Sequence, residues 1–169
     1  MSRDAALRLR CERVGPQHAE ELAVLFERNR IPPVTDVFDP FPLDADHARK
    51  IALEAGEDAY YLGRHGELAV GFSMLRGFDE GYAIPSFGVF VDHRHHGQGV
   101  GRELTAWTVA QARGRGCPAV RLTVYATNLA ACRLYESLGF LEQERHSVDR
   151  KGRPDQKLVM RLDFGGQDG

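Results

Sequence analysis

The densest chemical signal in the chain is His96-Gly97-Gln98-Gly99-Val100-Gly101, which follows an apolar run and opens a helical pattern. The first turn of a helix leaves backbone N–H groups unpaired, with partial positive charge. Glycines let that backbone approach an anion without interference from Cβ. The segment therefore reads as a phosphate-binding nest, with a plain glycine-rich turn as the alternative. Arg94, Arg102 and the local histidines add positive charge. Two nucleotide-binding readings fail on the residues themselves. A P-loop ends in Gly-Lys-Ser/Thr, whereas Gly101 is followed by Arg102-Glu103. A dinucleotide fingerprint starting at Gly97 needs glycine at position 102, which is arginine. His93, His95 and His96, with His65 elsewhere, lack acid or cysteine partners at ligand spacing, so no metal site is expected.

The elements that must hold this loop follow from periodicity and breakers. Residues 7–14 alternate apolar and polar side chains, a half-buried strand that Gly15-Pro16 ends. Residues 17–30 carry Leu22, Leu25 and Phe26 at helical spacing, with acids early and Arg28 and Arg30 late, as the helix dipole favours. Residues 31–43 hold four prolines with Phe38 and Phe41, an ordered loop whose aromatics must pack. Asp44 is placed to cap a helix running to about residue 54. Strands are expected at 59–64 and 68–75 around the turn His65-Gly66, then a polar connection over 76–84 and a short strand at 86–91. A long helix should end near Arg115, closed by Gly116, with Leu104, Trp107, Val109 and Ala112 available for burial. A strand at 120–124, a helix at 128–138 closed by Gly139, and strands near 141–147 and 156–164 complete the order. This is a mixed α/β sheet with helices on its faces.

The length of 169 residues suits one domain, expected over residues 1–164, with 165–169 as a disordered tail. Hydrophobic residues at 43% and charged residues at 27% are an ordinary soluble balance. A formal charge of -2 gives no long-range attraction to nucleic acid or anionic membrane, so phosphate binding must be local. The charged start, Met1 to Arg8, is unlike a secretory signal, and no run approaches the ~20 apolar residues of a membrane helix. Three cysteines, Cys11, Cys117 and Cys132, lack metal or redox spacing. They read as buried or idle thiols, and a cytoplasmic location is expected.

Phe90-Val91-Asp92-His93-Arg94-His95-His96-Gly97-Gln98-Gly99-Val100-Gly101 resembles the acetyl-CoA signature of GNAT acetyltransferases, roughly V-x-P-x-x-[RQ]-G-x-G-[IV]-[GA]. Asn128-Leu129-Ala130-Ala131-Cys132-Arg133-Leu134-Tyr135-Glu136-Ser137-Leu138-Gly139-Phe140 resembles the family's N-x-x-A-x-x-L-Y-x-x-x-G-F helix. One long helix and one strand separate the two motifs, as in the family. His93 stands where proline is usual, and His96 where arginine or glutamine is usual. Because histidine titrates near neutrality, phosphate binding at His96 is expected to depend on pH. The resemblance implies an α/β (α+β) GNAT fold. Its sheet is central, mixed, mostly antiparallel, seven-stranded and twisted, flanked by about four helices, with splayed central strands.

The resemblance further implies direct acetyl transfer from acetyl-CoA to a primary amine in a ternary complex, without a metal. Backbone groups of Phe90 and Val91 would hold the pantetheine and polarise the thioester. His96, Gly97, Gln98, Gly99, Val100, Gly101 and Arg102 would surround the pyrophosphate. Asn128, Arg133 and Tyr135 would contact the cofactor from the second helix. Tyr135 would also be the acid that meets the departing thiolate. Reference pKa values near 10 for tyrosine and ~8.5 for a thiol make full transfer uphill by roughly 2 kcal/mol, so hydrogen-bond donation comes first. Cys132, on the same helix face, has no evident base and is not expected to act as a nucleophile. A base must deprotonate the ammonium acceptor. Glu80 is the candidate, with Asp79 beside it, and Ser86 and Tyr82 as weaker binding or relay groups.

In this family the acceptor pocket comes from the least shared segments, here residues 31–46, 76–85 and 147–155. Asp36, Asp39, Asp79 and Glu80 would make it acidic, suiting a cationic amine. The acceptor is expected to be a small molecule: an amino sugar, an amine or an amino acid. Residues 76–82 resemble members encoded beside sugar-biosynthesis enzymes, and Tyr125-Ala126-Thr127 resembles protein N-terminal acetylating members. Alternatives are a protein N-terminal or lysine acetyltransferase and a non-catalytic acyl-CoA-binding domain. A homodimer is compatible with the resemblance.

Overall fold

The computed structural model describes residues 8–54 and 56–165. Residue 7 of the first expected strand and all but Gly165 of the expected tail lie outside them. Seven strands form one open sheet: β1 (Arg10–Arg13), β2 (Ala59–His65), β3 (Leu68–Arg76), β4 (Ser86–Val91), β5 (Ala119–Tyr125), β6 (Leu141–Arg150) and β7 (Arg153–Asp163), in the order β1-β2-β3-β4-β5-β7-β6. Every neighbouring pair is antiparallel except β4 and β5, which are parallel and share the single register pair Ser86–Arg121. The expected mixed, mostly antiparallel sheet with splayed centre is therefore present.

Five helices accompany it: α1 (Ala19–Arg28), α2 (Pro32–Thr35), α3 (Ala45–Leu53), α4 (Val100–Gly114) and α5 (Leu129–Ser137). The one beyond the sequence reading is α2, a single turn begun by two prolines, which suit a first helical turn. Asp44 caps α3 by accepting from the His47 N–H at 2.7 Å. Gly116 and Gly139, with φ of +88° and +97°, end α4 and α5 in the left-handed conformation that glycine adopts without strain.

Strand alternation sorts the core onto two faces. Leu62, Phe72, Met74 and Phe90 face α1 and α3. Tyr61, Leu75, Phe87, Leu122, Val124, Leu158 and Met160 face the side that holds Trp107 and Ala112 of α4 and Cys132 and Tyr135 of α5. The aromatics of residues 31–43 do pack. Phe38 meets Phe90 at 5.1 Å and Phe72 at 6.2 Å, edge to face, and Phe41 stacks on Phe26 at 5.9 Å. Sequence periodicity overlooked Thr105 and Thr108, both fully buried in α4. Their hydroxyls return to helix carbonyls, and Thr108 also meets Ser73 at 2.7 Å.

The last hairpin is longer than its apolar pattern suggests. β6 runs to Arg150 and β7 starts at Arg153, joined by Lys151-Gly152 with φ of +54° and +83°. Residues 147–155, expected to include a loop, are thus mostly strand. Nearly all of β6 is exposed, so backbone pairing rather than a buried face holds it, and no alternation marks its end.

Candidate active site

β4 pairs with β3 throughout, and β5 pairs with β7 throughout. Beyond Ser86–Arg121, therefore, the facing edges of β4 and β5 have no ladder partner, and a cleft of about 820 Å³ opens between them. Backbone parity decides which groups look into it, because N–H and C=O of alternate residues point to opposite edges. The Asp92 N–H donates to Val70 on the β3 side, whereas the Pro85 carbonyl accepts from Arg121 on the β5 side. Phe87, Val89 and Val91 thus turn their backbone groups toward the cleft, and Phe90 turns its own toward β3. Of the two residues the resemblance names on this strand, parity assigns Val91 to the gap, and Val89 joins it. The imidazole Nε2 of His96 lies 3.0 Å from the Val91 carbonyl oxygen.

One end of the cleft is the glycine loop. Gly97 and Gly99 have φ of +77° and +79°, and a Cβ at either would meet no atom within 4 Å, so conformation rather than crowding calls for glycine. Gly99 is the N-cap of α4 and offers no side-chain cap, which leaves the helix's first N–H groups open at the loop. His96, Gly97, Gly99, Val100 and Gly101 all line the cleft. Gln98 does not, and its side-chain oxygen lies 3.3 Å from His95.

The loop is anchored from beneath by residues that sequence reading left aside. Asp92 is fully buried and accepts from Arg28 and Arg94. Burial alone would raise the Asp92 pKa, but the two guanidiniums outweigh it and hold the carboxyl below its ordinary value. Asn29, also fully buried, donates to the Leu25 carbonyl and accepts from the His93 N–H at 2.9 Å. His93 and His95 also lie within 4 Å of Asp92, at 3.5 and 3.7 Å. Much of the positive charge near the loop is thereby tied inward. An acid at the end of a buried strand was the available signal for Asp92.

α5 forms the opposite wall. Asn128 caps it by accepting from the Ala131 N–H and lines the cleft, as does Tyr135. The Tyr135 ring packs edge-on against Phe87 and Phe140. Burial, with a smaller contribution from Cys132, pushes its phenol pKa well above the usual value. Its hydroxyl has no hydrogen-bond partner among the described residues. Arg133 is exposed on α5, and Arg102 donates to the Ser137 hydroxyl at 2.7 Å; neither lines the cleft.

A second cavity of about 750 Å³ adjoins the first and shares Pro40, Met74, Phe87 and Thr123 with it. Glu80, Tyr82 and Ser86 line it, and the Glu80 carboxylate has no partner among the described residues. Asp79 instead accepts from the Glu57 and Asp58 N–H groups, which makes it a loop anchor. Asp39 accepts from the Tyr125 hydroxyl at 2.8 Å, and Asp36 meets Lys151 at 3.3 Å. Three of the four acids expected to make the pocket acidic are engaged in this way.

A family model described as the Acetyltransferase (GNAT) family matches residues 21–140. The mycothiol acetyltransferase of Thermobispora bispora is 52% identical over 52 residues, covering 31% of this chain and 18% of that protein. The [ribosomal protein bS18]-alanine N-acetyltransferase of Escherichia coli K12 is 43% identical over 56 residues, covering 33% of this chain and 38% of that protein. The matches thus span about a fifth to two fifths of those relatives' lengths. Among solved structures, YncA from Salmonella typhimurium with its cofactor acetyl-CoA superposes with a TM-score of 0.77 at 18% identity, covering 95% of this chain and 96% of that one. The ribosomal-protein-S18-alanine N-acetyltransferase of Escherichia coli gives 0.72 at 19% identity, covering 96% and 99%. With the family model matching residues 21–140, most of its length, the chain belongs to the GNAT family of acetyltransferases, and the fold agrees.

Proposed function

We propose that the chain transfers an acetyl group from acetyl-CoA to a primary amine, directly, with both substrates bound at once. The observation that carries this reading is the cleft between β4 and β5, which is lined both by an uncapped helix N-terminus and by Tyr135. A pyrophosphate suits the glycine loop, where open N–H groups and the α4 dipole act together. The Val89 backbone and the Val91 N–H, which have no ladder partner on the β5 side, suit the amide-rich pantetheine, much as a third strand would. An N–H of this edge would stabilise charge developing on the thioester oxygen.

Acetyl-CoA supplies an activated acyl carbon. The amine nitrogen forms the new bond to that carbon, the carbon–sulfur bond breaks, and sulfur leaves as thiolate. Tyr135 meets the thiolate. Its raised pKa keeps the phenol protonated at neutral pH, so it can donate a hydrogen bond to the departing sulfur. The same shift makes full proton transfer more uphill than for an ordinary tyrosine, so donation stabilises the leaving group and solvent completes protonation. Glu80, in the adjoining cavity, is the base for the ammonium. The remaining cleft residues, His96, Gly97, Gly99, Val100, Gly101 and Asn128, hold the cofactor; Gln98, Arg102 and Arg133 flank its phosphate end.

A small-molecule acceptor is the first reading, since the adjoining cavity is lined by side chains, Glu80, Tyr82 and Ser86 among them. A protein N-terminus is the second, favoured by the likeness to the bS18-alanine acetyltransferase. Thiol release from acetyl-CoA across a panel of amines, with Tyr135→Phe alongside, tests the reaction. Amine-dependent release lowered by the substitution supports it. Tight acetyl-CoA binding without turnover on any amine would instead mark a non-catalytic binder.

A further inference from the structure

The strand registers place three arginines in one line across the sheet. Arg76 on β3 pairs with Ser86 on β4, Ser86 with Arg121 on β5, and Arg121 with Arg161 on β7. Directly paired residues point to the same face, so the row Arg76-Ser86-Arg121-Arg161 lies on the α1 and α3 side, alongside Met74 and Thr123. α1 and α3 cover that face over β2 to β4. Over β5 and β7 it is open, and all four residues of the row line the second cavity.

Such a row is unfavourable for the fold alone. Like charges directly opposite on neighbouring strands repel at a separation near 4.8 Å. A purely structural set would be neutralised, yet only Arg161 has a carboxylate, that of Asp163 at 2.8 Å. Arg76 and Arg121 have no hydrogen-bond or ion-pair partner among the described residues; Arg76 has only the Phe41 ring, 5.4 Å from its guanidinium carbon. Of the acids in the cavity, Glu144 is held by His146 at 3.0 Å, and Glu80 makes no ion pair with the row among the described residues.

We infer that the acceptor is an amine that also carries an oxyanion, a carboxylate or phosphate, and that Arg121 and Arg76 bind this group while the amine reaches the acetyl carbon. The inference rests on the acetyl-transfer reading. Guanidinium forks match both oxyanions in charge and planar geometry. Ser86, between the two free arginines, adds a hydroxyl donor. Thr123, two residues along β5 on the same face, belongs to the wall shared with the cofactor cleft. Arg121 is therefore set back about 7 Å along the strand from that wall. A molecule spanning both has its amine and its oxyanion several bonds apart.

The test uses matched acceptors that differ only in the acidic group. These are glycylglycine against its C-terminal amide, and glucosamine 6-phosphate against glucosamine, with acetyl-CoA and the full chain. The expected result is a KM at least about tenfold lower for one acidic member than for its neutral partner, a ratio that Arg121→Gln brings close to one. Arg121→Lys should restore part of it, as charge without the fork. Which pair shows the effect separates carboxylate from phosphate. Equal KM within both pairs, or a ratio unmoved by Arg121→Gln and Arg76→Gln, overturns the inference, as does turnover of no acidic member while acetyl-CoA is still bound. Calorimetric titration of acetyl-CoA without amine keeps the two readings apart, because failure there overturns the cofactor cleft itself. Unfolding temperature adds a check against a structural role: Arg121→Gln relieves repulsion and should not lower it.

Discussion

The two cavities meet at four residues yet are built in opposite ways. The proposed cofactor end uses backbone: strand edges left open by the splay, glycines with positive φ, and the free end of a helix. Its important side chains, Asp92 and Asn29, face inward and hold that backbone in place. The proposed acceptor end uses long side chains: Arg76, Arg121 and Arg161, aligned by sheet register, and Glu80 from the loop between β3 and β4. Backbone recognition suits a ligand shared by a whole family, because it tolerates sequence change. Side-chain recognition suits the partner that differs, because single substitutions can retune it.

This contrast can be broken most forcefully beneath the glycine loop. Asp92→Asn removes a buried charge facing Arg28 and Arg94 and should cost about 3 kcal/mol, near 8 °C in unfolding temperature. The folded-state pKa of Asp92 lies below its unfolded value, so its contribution is present at neutral pH and is lost as pH falls through the folded value. The gap between wild type and variant, followed by thermal melts from pH 7 downward, should narrow only at the acid end.

Next in size, Tyr135→Phe should lower kcat about 100-fold while leaving acetyl-CoA affinity within about twofold, as measured by steady-state kinetics and calorimetry. Since its phenol stays protonated, Tyr135 should contribute no alkaline limb to the kcat profile. Gly99→Ala forces an alanine to φ near +79° with no steric clash. The strain of about 1–2 kcal/mol should weaken acetyl-CoA binding roughly tenfold and leave the preference among amines unchanged. The smallest effect is expected at the turn between β6 and β7. Lys151 occupies a left-handed turn position that asparagine prefers, so Lys151→Asn should raise the unfolding temperature by about 2 °C and leave acetyl-CoA affinity untouched.

What the sequence by itself determined was the part made of contiguous residues. The loop His96 to Gly101, the helix start at Asn128, the strand Ser86–Val91 and the glycine ends of α4 and α5 were legible because each depends on a few neighbours. So was the need of Phe38 and Phe41 for a core, although the single turn of α2 was not. The exposed ends of β6 and β7 escaped because no buried face imprints a period on them. Tertiary structure alone decided that Val89 and Val91 turn their backbone into the gap, since parity has meaning only once β3 is paired. It also decided that Asp36, Asp39 and Asp79 are engaged with residues 20 or more positions away in the chain. Above all it assembled Arg76, Arg121 and Arg161, scattered over three strands, into one row, because register is a relation between strands that no single strand encodes.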